Sequence, residues 1–392
     1  MRYGRMPPPT TPEPSEPPKP IVWQETVWPV DQVKHLQRTI DWYASGNQMH
    51  KPRRAISKRI AHALDEPFLV DDVALKVTAS IGISVGSVDT TAEEVLREAD
   101  VAVGRAKSNG GDRAELFDQD LRLQARRRLD QAAALRRAID DEELLVLWQA
   151  AHPLQASDPP SEPWAEALVR WHNPERGLVS ASNFIQLAEE TGLIVPIGRF
   201  VIQSACRQLA TWRAEGGRRP TRASVNLSPR ELARDDLVDA VASVLAETGI
   251  EADALILEIT ESVVATGTDD AVRRLEQLHE LGVGLAMDDF GTGESSLGVL
   301  RRLPVSVLKV DRAFVSGLTS SKADWAIVRG LIEIGHSLGL TVVAEGIETV
   351  EQLDALVELG CDRGQGYLWS SPVPVAELEA QLEAQPADAD AG

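Results

Sequence analysis

Short apolar runs alternate with longer amphipathic ones along the chain from Glu142 onward. Eight of the short runs have the length and composition of buried strands: Leu144–Ala150, Trp164–Arg170, Ala223–Ser228, Ala254–Thr260, Gly284–Phe290, Val305–Asp311, Thr341–Gly346 and Gly364–Trp369. Stretches such as 231–249 and 325–339 repeat apolar residues at helical spacing. Strands and helices that alternate in this way over about 250 residues are typical of a (β/α)8 barrel. We therefore predict an α/β fold with a TIM-like barrel over residues 142–385.

A less complete pattern precedes the barrel. A helical run over Ile56–Leu64 is followed by an alternating apolar stretch, Val73–Val85, which predicts one strand. A second helix follows, in which Thr91 and Glu94 fit a capping box and Gly110–Gly111 ends the helix. This part of the chain is predicted to place one strand between two helices.

The remaining segments connect or flank these regions. Residues 118–141 are rich in Ala, Leu and Arg and predict a connecting helix. Residues 7–20 contain eight of the 23 prolines, which favour extended backbone over packed elements. We therefore expect residues 1–29 to form a disordered Pro-rich tail and residues 386–392 to form a second disordered tail.

Composition and charge narrow the functional classes. The formal net charge is -20, so we expect no DNA or RNA partner, because binding to nucleic acid requires a basic surface. The two cysteines, Cys206 and Cys361, fit no metal-ligand spacing and predict reduced thiols. We find no apolar run of the roughly 18 residues that a spanning helix needs. We therefore expect no membrane segment in this chain and a cytoplasmic location.

Polar side chains interrupt the predicted strands close to their carboxyl ends. They are Glu166, Asn226, Glu258, Asp288, Asp289, Lys309, Glu345 and Gln365. The carboxyl ends of barrel strands meet at one face, so we expect these side chains to converge there. Crowded carboxylates need cations between them, and hard oxygen ligands favour Mg²⁺ or Mn²⁺. Two such ions would activate a water for phosphodiester hydrolysis, with Lys309 orienting that water and Gln365 contacting another metal-bound water. Any one of these acids alone is more often a helix cap or an ion-pair partner.

The short sequence motifs around these residues resemble those of the EAL family of cyclic di-GMP phosphodiesterases, and they occur in the same order as in that family. They are EALVRW (Glu166–Trp171), VNLS (Val225–Ser228), LEITES (Leu257–Ser262), DDFGTGESS (Asp288–Ser296), LKVDRAFV (Leu308–Val315), VVAEGIET (Val342–Thr349) and GQGYLWSSP (Gly364–Pro372). The resemblance implies metal-dependent hydrolysis of cyclic di-GMP to linear 5'-pGpG in bacterial signalling. It also implies two metal ions, Mg²⁺ or Mn²⁺, in each active site, and a homodimer formed through the barrel.

The resemblance assigns roles to individual residues. The first metal ion would be held by Glu166, Asn226, Glu258 and Asp288, and the second by Asp288, Asp289 and Glu345. The catalytic group would comprise Lys309, Glu345, Glu166 and Asp289. The substrate side would comprise Arg170, Gln149, Asp311 and Gln365, with Arg170 facing a phosphate. Support for the metal site and the loop after Asp289 would come from Glu261, Glu348 and Glu294.

A second resemblance concerns residues 30–117. The words SIGISV and TAEEVLREADVAVGRAKSNGG are similar to the closing half of a GGDEF diguanylate cyclase domain. The GG(D/E)EF turn and the strands before it have no counterpart in residues 1–54. The resemblance therefore implies a partial, degenerate domain without cyclase activity.

Two departures from the EAL pattern leave alternatives open. Glu294 stands where the family usually has Tyr, which affects the expected regulation by that loop. The first barrel strand reads WQAA, Trp148–Ala151, where the family has YQPI. One alternative is therefore a weak or inactive EAL module that acts as a cyclic di-GMP receptor or interaction domain. Another is an unrelated metal-dependent barrel, which would not predict the signatures in family order.

Overall fold

The structure is a computed structural model that describes residues 68–70, 73–76, 78–84, 90–117, 119–156, 162–260, 269–291, 300 and 303–384. The predicted tails, the predicted Ile56–Leu64 helix, Glu261 and Glu294 lie outside these residues. The chain divides into two compact units, Met1–Arg126 and Arg127–Gly392. Of the helices described, none is long and apolar enough to cross a lipid bilayer.

The first unit contains two small sheets. Strands β1 (Phe68–Val70) and β2 (Val73–Leu75) pair antiparallel. Strands β3 (Ile81–Ile83) and β4 (Ala114–Leu116) pair parallel and are connected through helix α1 (Ala92–Ser108). The predicted single strand over 73–85 is therefore wrong. The two halves of that stretch have different partners, and β4 was not predicted at all.

The predicted capping box at the start of α1 is confirmed. Glu94 N donates to Thr91 Oγ1 at 3.2 Å, and Thr91 N donates to Glu94 Oε2 at 2.9 Å. Gly82 lets α1 lie directly on β3, because a Cβ at this position would come within 2.0 Å of Ala99 O.

A closed eight-stranded barrel fills the second unit, as predicted. Its strands, with one added edge strand, are β5 (Leu144–Pro153), β6 (Trp164–Asn173), β7 (Gly177–Ser180), β8 (Arg222–Asn226), β9 (Leu255–Thr260), β10 (Gly284–Phe290), β11 (Val307–Val310), β12 (Thr341–Ala344) and β13 (Arg363–Gly364). The order is β5-β13-β12-β11-β10-β9-β8-β6-β7, and pairing of β5 with β6 closes the barrel. Every edge of the eight barrel strands is thereby paired.

Helices connect and cover the strands. They are α2 (Gln119–Asp140), α3 (Ile185–Thr191), α4 (Ile194–Glu215), α5 (Pro229–Leu232), α6 (Leu237–Thr248), α7 (Asp269–Glu280), α8 (Arg312–Gly317), α9 (Lys322–Ser337), α10 (Val350–Glu358) and α11 (Val375–Ala384). The apolar face of α4 is buried against the barrel through residues such as Ile197, Val201 and Leu209. Cys206 and Cys361 are free and buried, as predicted.

The expectation that all barrel strands run the same way is wrong for β5. This strand is antiparallel to both of its neighbours, β13 and β6. The connection from β5 to β6 contains only residues 154–163, and a parallel pair would need a crossover of a dozen or more residues, usually with a helix. The short β7, which pairs with the far half of β6, was also not predicted.

Candidate active site

The site is the second layer of side chains inside the barrel. A first layer is apolar and consists of Ala151, Trp164, Ile256, Ala286, Val307 and Val343. Side chains two residues apart on a strand share a face, so the next inward layer lies two residues further along each parallel strand. That layer contains Glu166, Glu258, Asp288, Lys309 and Glu345. Because β5 is antiparallel, its next inward residue lies two positions earlier in the sequence than Ala151. Gln149 therefore belongs to the same layer.

Lys309 lies at the centre of this layer, and the residue is 3% exposed. Its Nζ is 2.5 Å from Glu345 Oε1 and 2.7 Å from Glu258 Oε2. Asp288 Oδ1 and Glu166 Oε2 lie at 3.7 and 3.8 Å from the same nitrogen. Four carboxylates thus share one ammonium group, which leaves the cluster with an excess of negative charge.

Two amide side chains connect the carboxylates at the edge of the cluster. Gln365 Nε2 donates to Glu166 Oε2 at 2.8 Å and to Glu345 Oε1 at 3.3 Å. Asn226 Nδ2 donates to Glu166 Oε1 at 2.9 Å from the end of β8. Glu166 therefore accepts from both amides, which fixes the orientation of its carboxylate. The structure brings Asn226, Glu166 and Gln365 together as the sequence predicted.

Burial and crowding change the acidity of these groups. Burial raises the pKa of Glu258 well above its usual value, although the ammonium of Lys309 opposes the shift. Burial also raises the pKa of Glu345 to about 8, and Asp288 adds repulsion. Burial alone would lower the pKa of Lys309, but the combined attraction of the carboxylates raises it. The site thus holds a charged lysine among acids that need further positive charge.

A bulge in β10 presents the two adjacent aspartates. The pairing register with β11 shifts between Met287 and Phe290, so one extra residue is inserted there. Asp289 has φ 54, a left-handed conformation that Asp tolerates better than most residues, and its N–H donates to Asp288 Oδ1 at 2.9 Å. Burial and then repulsion by Asp288 raise the pKa of Asp289 to about 6. Asp311, whose side chain is also hydrogen-bonded to Asp289, caps α8 through Ala313 N at 2.8 Å.

A cavity of about 270 Å³ opens above the cluster. Its lining comprises Gln149, Glu166, Leu168, Arg170, Asp288, Lys309, Arg312, Glu345, Gly346, Glu348, Gln365, Gly366, Tyr367 and Pro372. Gln149 Nε2 donates to Ser370 O at 2.9 Å, which ties β5 to the loop beyond β13. Arg170 is partly buried at the cavity wall, and Arg170 Nη1 donates to Val169 O at 2.8 Å.

Two lining residues with polar side chains, Arg312 and Tyr367, were missed by the sequence analysis. Glu348 accepts from Arg312 Nη2 at 2.8 Å. Its predicted role in steadying the metal site and the loop after Asp289 stays a prediction, because residues 292–299 lie outside the described residues. The signal for Arg312 was available, because it directly follows the strand-end Asp311. Tyr367 stands within the motif GQGYLWSSP but was not assigned a role.

The sequence profile of the EAL domain family matches residues 132–372 of this chain. The chain belongs to the EAL domain family. The matched range contains every barrel strand and all the cavity-lining residues named above. The resemblance drawn from the motifs is therefore confirmed for the barrel.

Named relatives of the EAL domain support this assignment. The cyclic di-GMP phosphodiesterase NbdA of Pseudomonas aeruginosa is 40% identical over 335 residues, which are 85% of this chain and 42% of that protein. A solved structure of the PaMucR phosphodiesterase in complex with c-di-GMP is 41% identical, with a TM-score of 0.59, and covers 63% of this chain and 99% of that one. The EAL enzyme Bd1971, solved with cAMP and cyclic-di-GMP bound, is 29% identical, with a TM-score of 0.63, and covers 75% of this chain and 77% of that one.

The chain spans less than half the length of the curated relatives NbdA and MucR, 42% and 47% respectively. The similarity therefore concerns the EAL domain and the region directly before it. Activities of the longer relatives are properties of those proteins.

The donor set of the EAL site fits hard divalent cations. Its side chains offer carboxylate and amide oxygens, which Mg²⁺ and Mn²⁺ prefer. Within the described ranges, no three His, Cys, Asp or Glu side chains already converge as a metal site. The point between the carboxylates is held by Lys309 Nζ instead. Four carboxylates share the single ammonium group of Lys309, so the cluster carries an excess of negative charge that cations would balance.

Proposed function

We propose that this protein is a metal-dependent phosphodiesterase that hydrolyses cyclic di-GMP to linear 5'-pGpG. The observation that supports this most is the carboxylate cluster around Lys309 at the base of a 270 Å³ cavity. The names of NbdA and PaMucR, which match this barrel, agree with the proposal. The substrate carries two phosphodiesters, so a site with excess negative charge requires cations to bind it.

We propose two Mg²⁺ or Mn²⁺ ions as the cofactor. The residues that would hold them are Glu166, Asn226, Glu258, Asp288, Asp289 and Glu345. When bound, such ions lower the pKa of water and neutralise the charge that develops on a phosphate. Glu166 would be the residue most sensitive to substitution, because two amides already orient its carboxylate.

The chain's own residues would then place the substrate and handle protons. Arg170, at the cavity wall, would bind a phosphate oxygen through its guanidinium. Lys309 would donate a hydrogen bond to the attacking water once the Lys309 ammonium group has moved away from its carboxylate partners. Gln365 would hold a second water through its amide, and Gln149 would hold the wall of the cavity on β5 through its hydrogen bond to Ser370 O. Asp311 would act through Asp289, to which it is hydrogen-bonded.

Turnover of cyclic di-GMP by the full chain tests the proposal. We expect pGpG as the product with Mg²⁺ or Mn²⁺, measured by chromatography, and no product from Glu166→Ala. The matched control is Glu333→Ala, whose side chain is 62% exposed on α9. Binding without turnover in either metal would favour the receptor alternative. Absence of both binding and turnover would overturn the proposal.

The parts before the barrel and the assembly are also proposals. We propose that residues 30–117 are a partial, degenerate GGDEF-like domain, residues 118–141 a connecting helix, and residues 142–385 the catalytic barrel. The succession of β3 and α1 supports the first of these, since the two elements lie in the two sequence motifs in the same order. We further propose that the protein is cytoplasmic and forms a homodimer through the barrel. Sedimentation of the purified chain tests whether it is a dimer.

A further inference from the structure

A second cavity, the α4–α6 cavity, lies between helices α4 and α6. Its volume is about 420 Å³, which is in the range of sites that bind small organic molecules. Its walls are apolar: Val195 and Ile202 on α4 face Leu237, Val241 and Val244 on α6. In the described part of the chain, this cavity shares no lining residue with the one above the carboxylate cluster.

Glu231 brings a carboxylate to the wall of the α4–α6 cavity, although the residue is only 4% exposed. Its Oε2 accepts from Ser228 Oγ at 2.6 Å and from Ser228 N at 3.1 Å. Among the residues described, none donates a hydrogen bond to the other oxygen, Oε1. This oxygen lies against α4, where a Cβ at Gly198 would come within 1.6 Å of it. A buried acceptor without a donor is costly, so Oε1 is suited to a donor that a ligand supplies.

The charged residues of the cavity favour a cationic ligand. Asp236 Oδ2 accepts from Arg199 Nη2 at 2.5 Å and from Arg234 Nη2 at 2.9 Å, so both lining arginines already have an anionic partner. With Glu231 ionised, these two arginines stand against three acids, Glu231, Asp236 and Asp239. One ammonium group would balance that difference. The formal net charge of the whole chain, -20, also favours the approach of a cation.

We propose that the α4–α6 cavity binds a small organic amine whose ammonium group donates to Glu231 Oε1. The apolar part of the amine packs between α4 and α6. The charge strengthens the hydrogen bond relative to that of a neutral donor. A carboxylate ligand is disfavoured, because Asp236 already engages the arginines and Glu231 repels a second anion. This site adds a ligand that hydrolysis of cyclic di-GMP does not require.

Binding of the amine should depend on pH through Glu231. Burial raises the pKa of Glu231 to about 7, Glu189 on α3 adds repulsion, and the hydrogen bonds from Ser228 oppose the shift. The amine keeps its proton near neutral pH, because an alkylamine such as the lysine side chain has a pKa of about 10.4. Its affinity should therefore increase as the pH rises through about 7. The other charged groups of the cavity are Arg199 on α4, Arg234 and Asp236 before α6, and Asp239 on α6.

The test is a ligand-observed NMR titration of the full chain with 4-phenylbutylamine. The alcohol 4-phenylbutanol and the acid 4-phenylbutanoate serve as its neutral and anionic counterparts. At pH 8 we expect the Kd of the amine to be at least about 5-fold lower than that of either counterpart. At pH 6 it should be about 10-fold higher than at pH 8, because about one-tenth of Glu231 is then ionised.

Two variants examine the two parts of the site. Glu231→Gln should raise the Kd of the amine at pH 8 about 5-fold or more and remove its pH dependence. Ala240→Phe should abolish binding of all three compounds, because the ring fills the cavity that Ala240 lines. The matched controls are Ala246→Phe, at an exposed position of α6, and Glu333→Gln on α9, and both should keep the wild-type Kd.

Three results would overturn the inference. They are an amine Kd no lower than that of the alcohol, tighter binding of the acid than of the amine, and binding that Ala240→Phe leaves unchanged. Absence of amine binding at about 10 mM would overturn it as well. The titration contains no cyclic di-GMP, so its outcome is independent of the proposed function. A chain without turnover that binds the amine as expected would contradict only the proposed function.

Discussion

Lys309 Nζ lies 2.7 Å from Glu258 Oε2 inside the barrel, and both residues are only 3% exposed. A buried ion pair of this kind is weak support for stability as a pair, but loss of one partner leaves an uncompensated charge. Here the imbalance is larger, because Glu166, Asp288 and Glu345 share the same ammonium group. The pair is therefore part of a site whose excess negative charge suits the binding of cations.

Replacement of Lys309 by methionine tests this account through folding. We expect Lys309→Met to lower the free energy of unfolding by about 3–5 kcal/mol in EDTA, because Glu258 loses its buried counter-charge. Mg²⁺ or Mn²⁺ should restore most of the loss, since a cation replaces the ammonium. The measurement is urea denaturation with and without metal. The proposal of a metal site would be contradicted if divalent ions stabilised this variant no more than wild type.

Metal removal from the wild type gives a second test that does not depend on turnover. A ligand that binds only the folded state stabilises it by about 2.7 kcal/mol at 100 times its Kd. We therefore expect Mn²⁺ to raise the Tm of EDTA-treated protein. Asn226→Ala should reduce the increase, because one oxygen ligand is lost and Glu166 loses a hydrogen-bond donor. Glu333→Gln, on the exposed face of α9, should show the full increase, and equal increases in both variants would argue against this site.

The barrel and its carboxylates could be predicted because they follow a period. Each inward acid lies two residues beyond an inward apolar residue, as Glu258 follows Ile256. This two-residue period can be read from the sequence of the strand. The antiparallel direction of β5 follows from the short connection after Pro153. The predicted barrel had all its strands parallel, so this consequence of the short connection was not considered. The pairing of Arg312 with Glu348 joins two strand-end segments through side chains alone, so no periodic pattern indicates it.

Glu231 gives a pH dependence that is separate from the active site. It is 4% exposed and closes a capping box with Ser228, whose Oγ donates to Glu231 Oε2 at 2.6 Å. Burial raises the pKa of Glu231 from 4.5 to about 7, although the hydrogen bonds from Ser228 oppose the shift. The folded protein therefore holds this proton more tightly than the unfolded chain does. The resulting stability is complete below pH 4.5 and is lost as the pH rises through about 7.

We expect Glu231→Gln to remove this dependence. On the order of 3 kcal/mol of the pH-dependent loss between pH 4 and pH 8 should disappear in the variant, because the amide cannot ionise. The protein already uses Gln in such a box, since Gln352 Oε1 accepts from Thr349 N at 3.1 Å. Urea denaturation across that pH range provides the measurement. A variant with the wild-type slope would show that the pKa of Glu231 is the same in the folded and unfolded states, and Glu333→Gln serves as the exposed control.

Gly366 links the packing of the site to its chemistry. An alanine Cβ at this position would meet Ile347 O at 2.0 Å and Ile347 N at 2.3 Å, which are backbone atoms that cannot turn aside. Gly366→Ala should therefore displace Gln365 and Tyr367 together and lower both stability and turnover. Gly330 on α9 is the matched control, because its Cβ would find no atom within 4 Å.

Gly330→Ala should stabilise the helix by roughly 0.5–1 kcal/mol and leave kcat unchanged, since alanine reduces the flexibility of the unfolded chain. Thermal unfolding and steady-state turnover of the two variants, measured side by side, separate the cost of a close contact from the general effect of replacing a glycine. Wild-type KM and Tm in Gly366→Ala would mean that the segment after β13 can move away from Ile347.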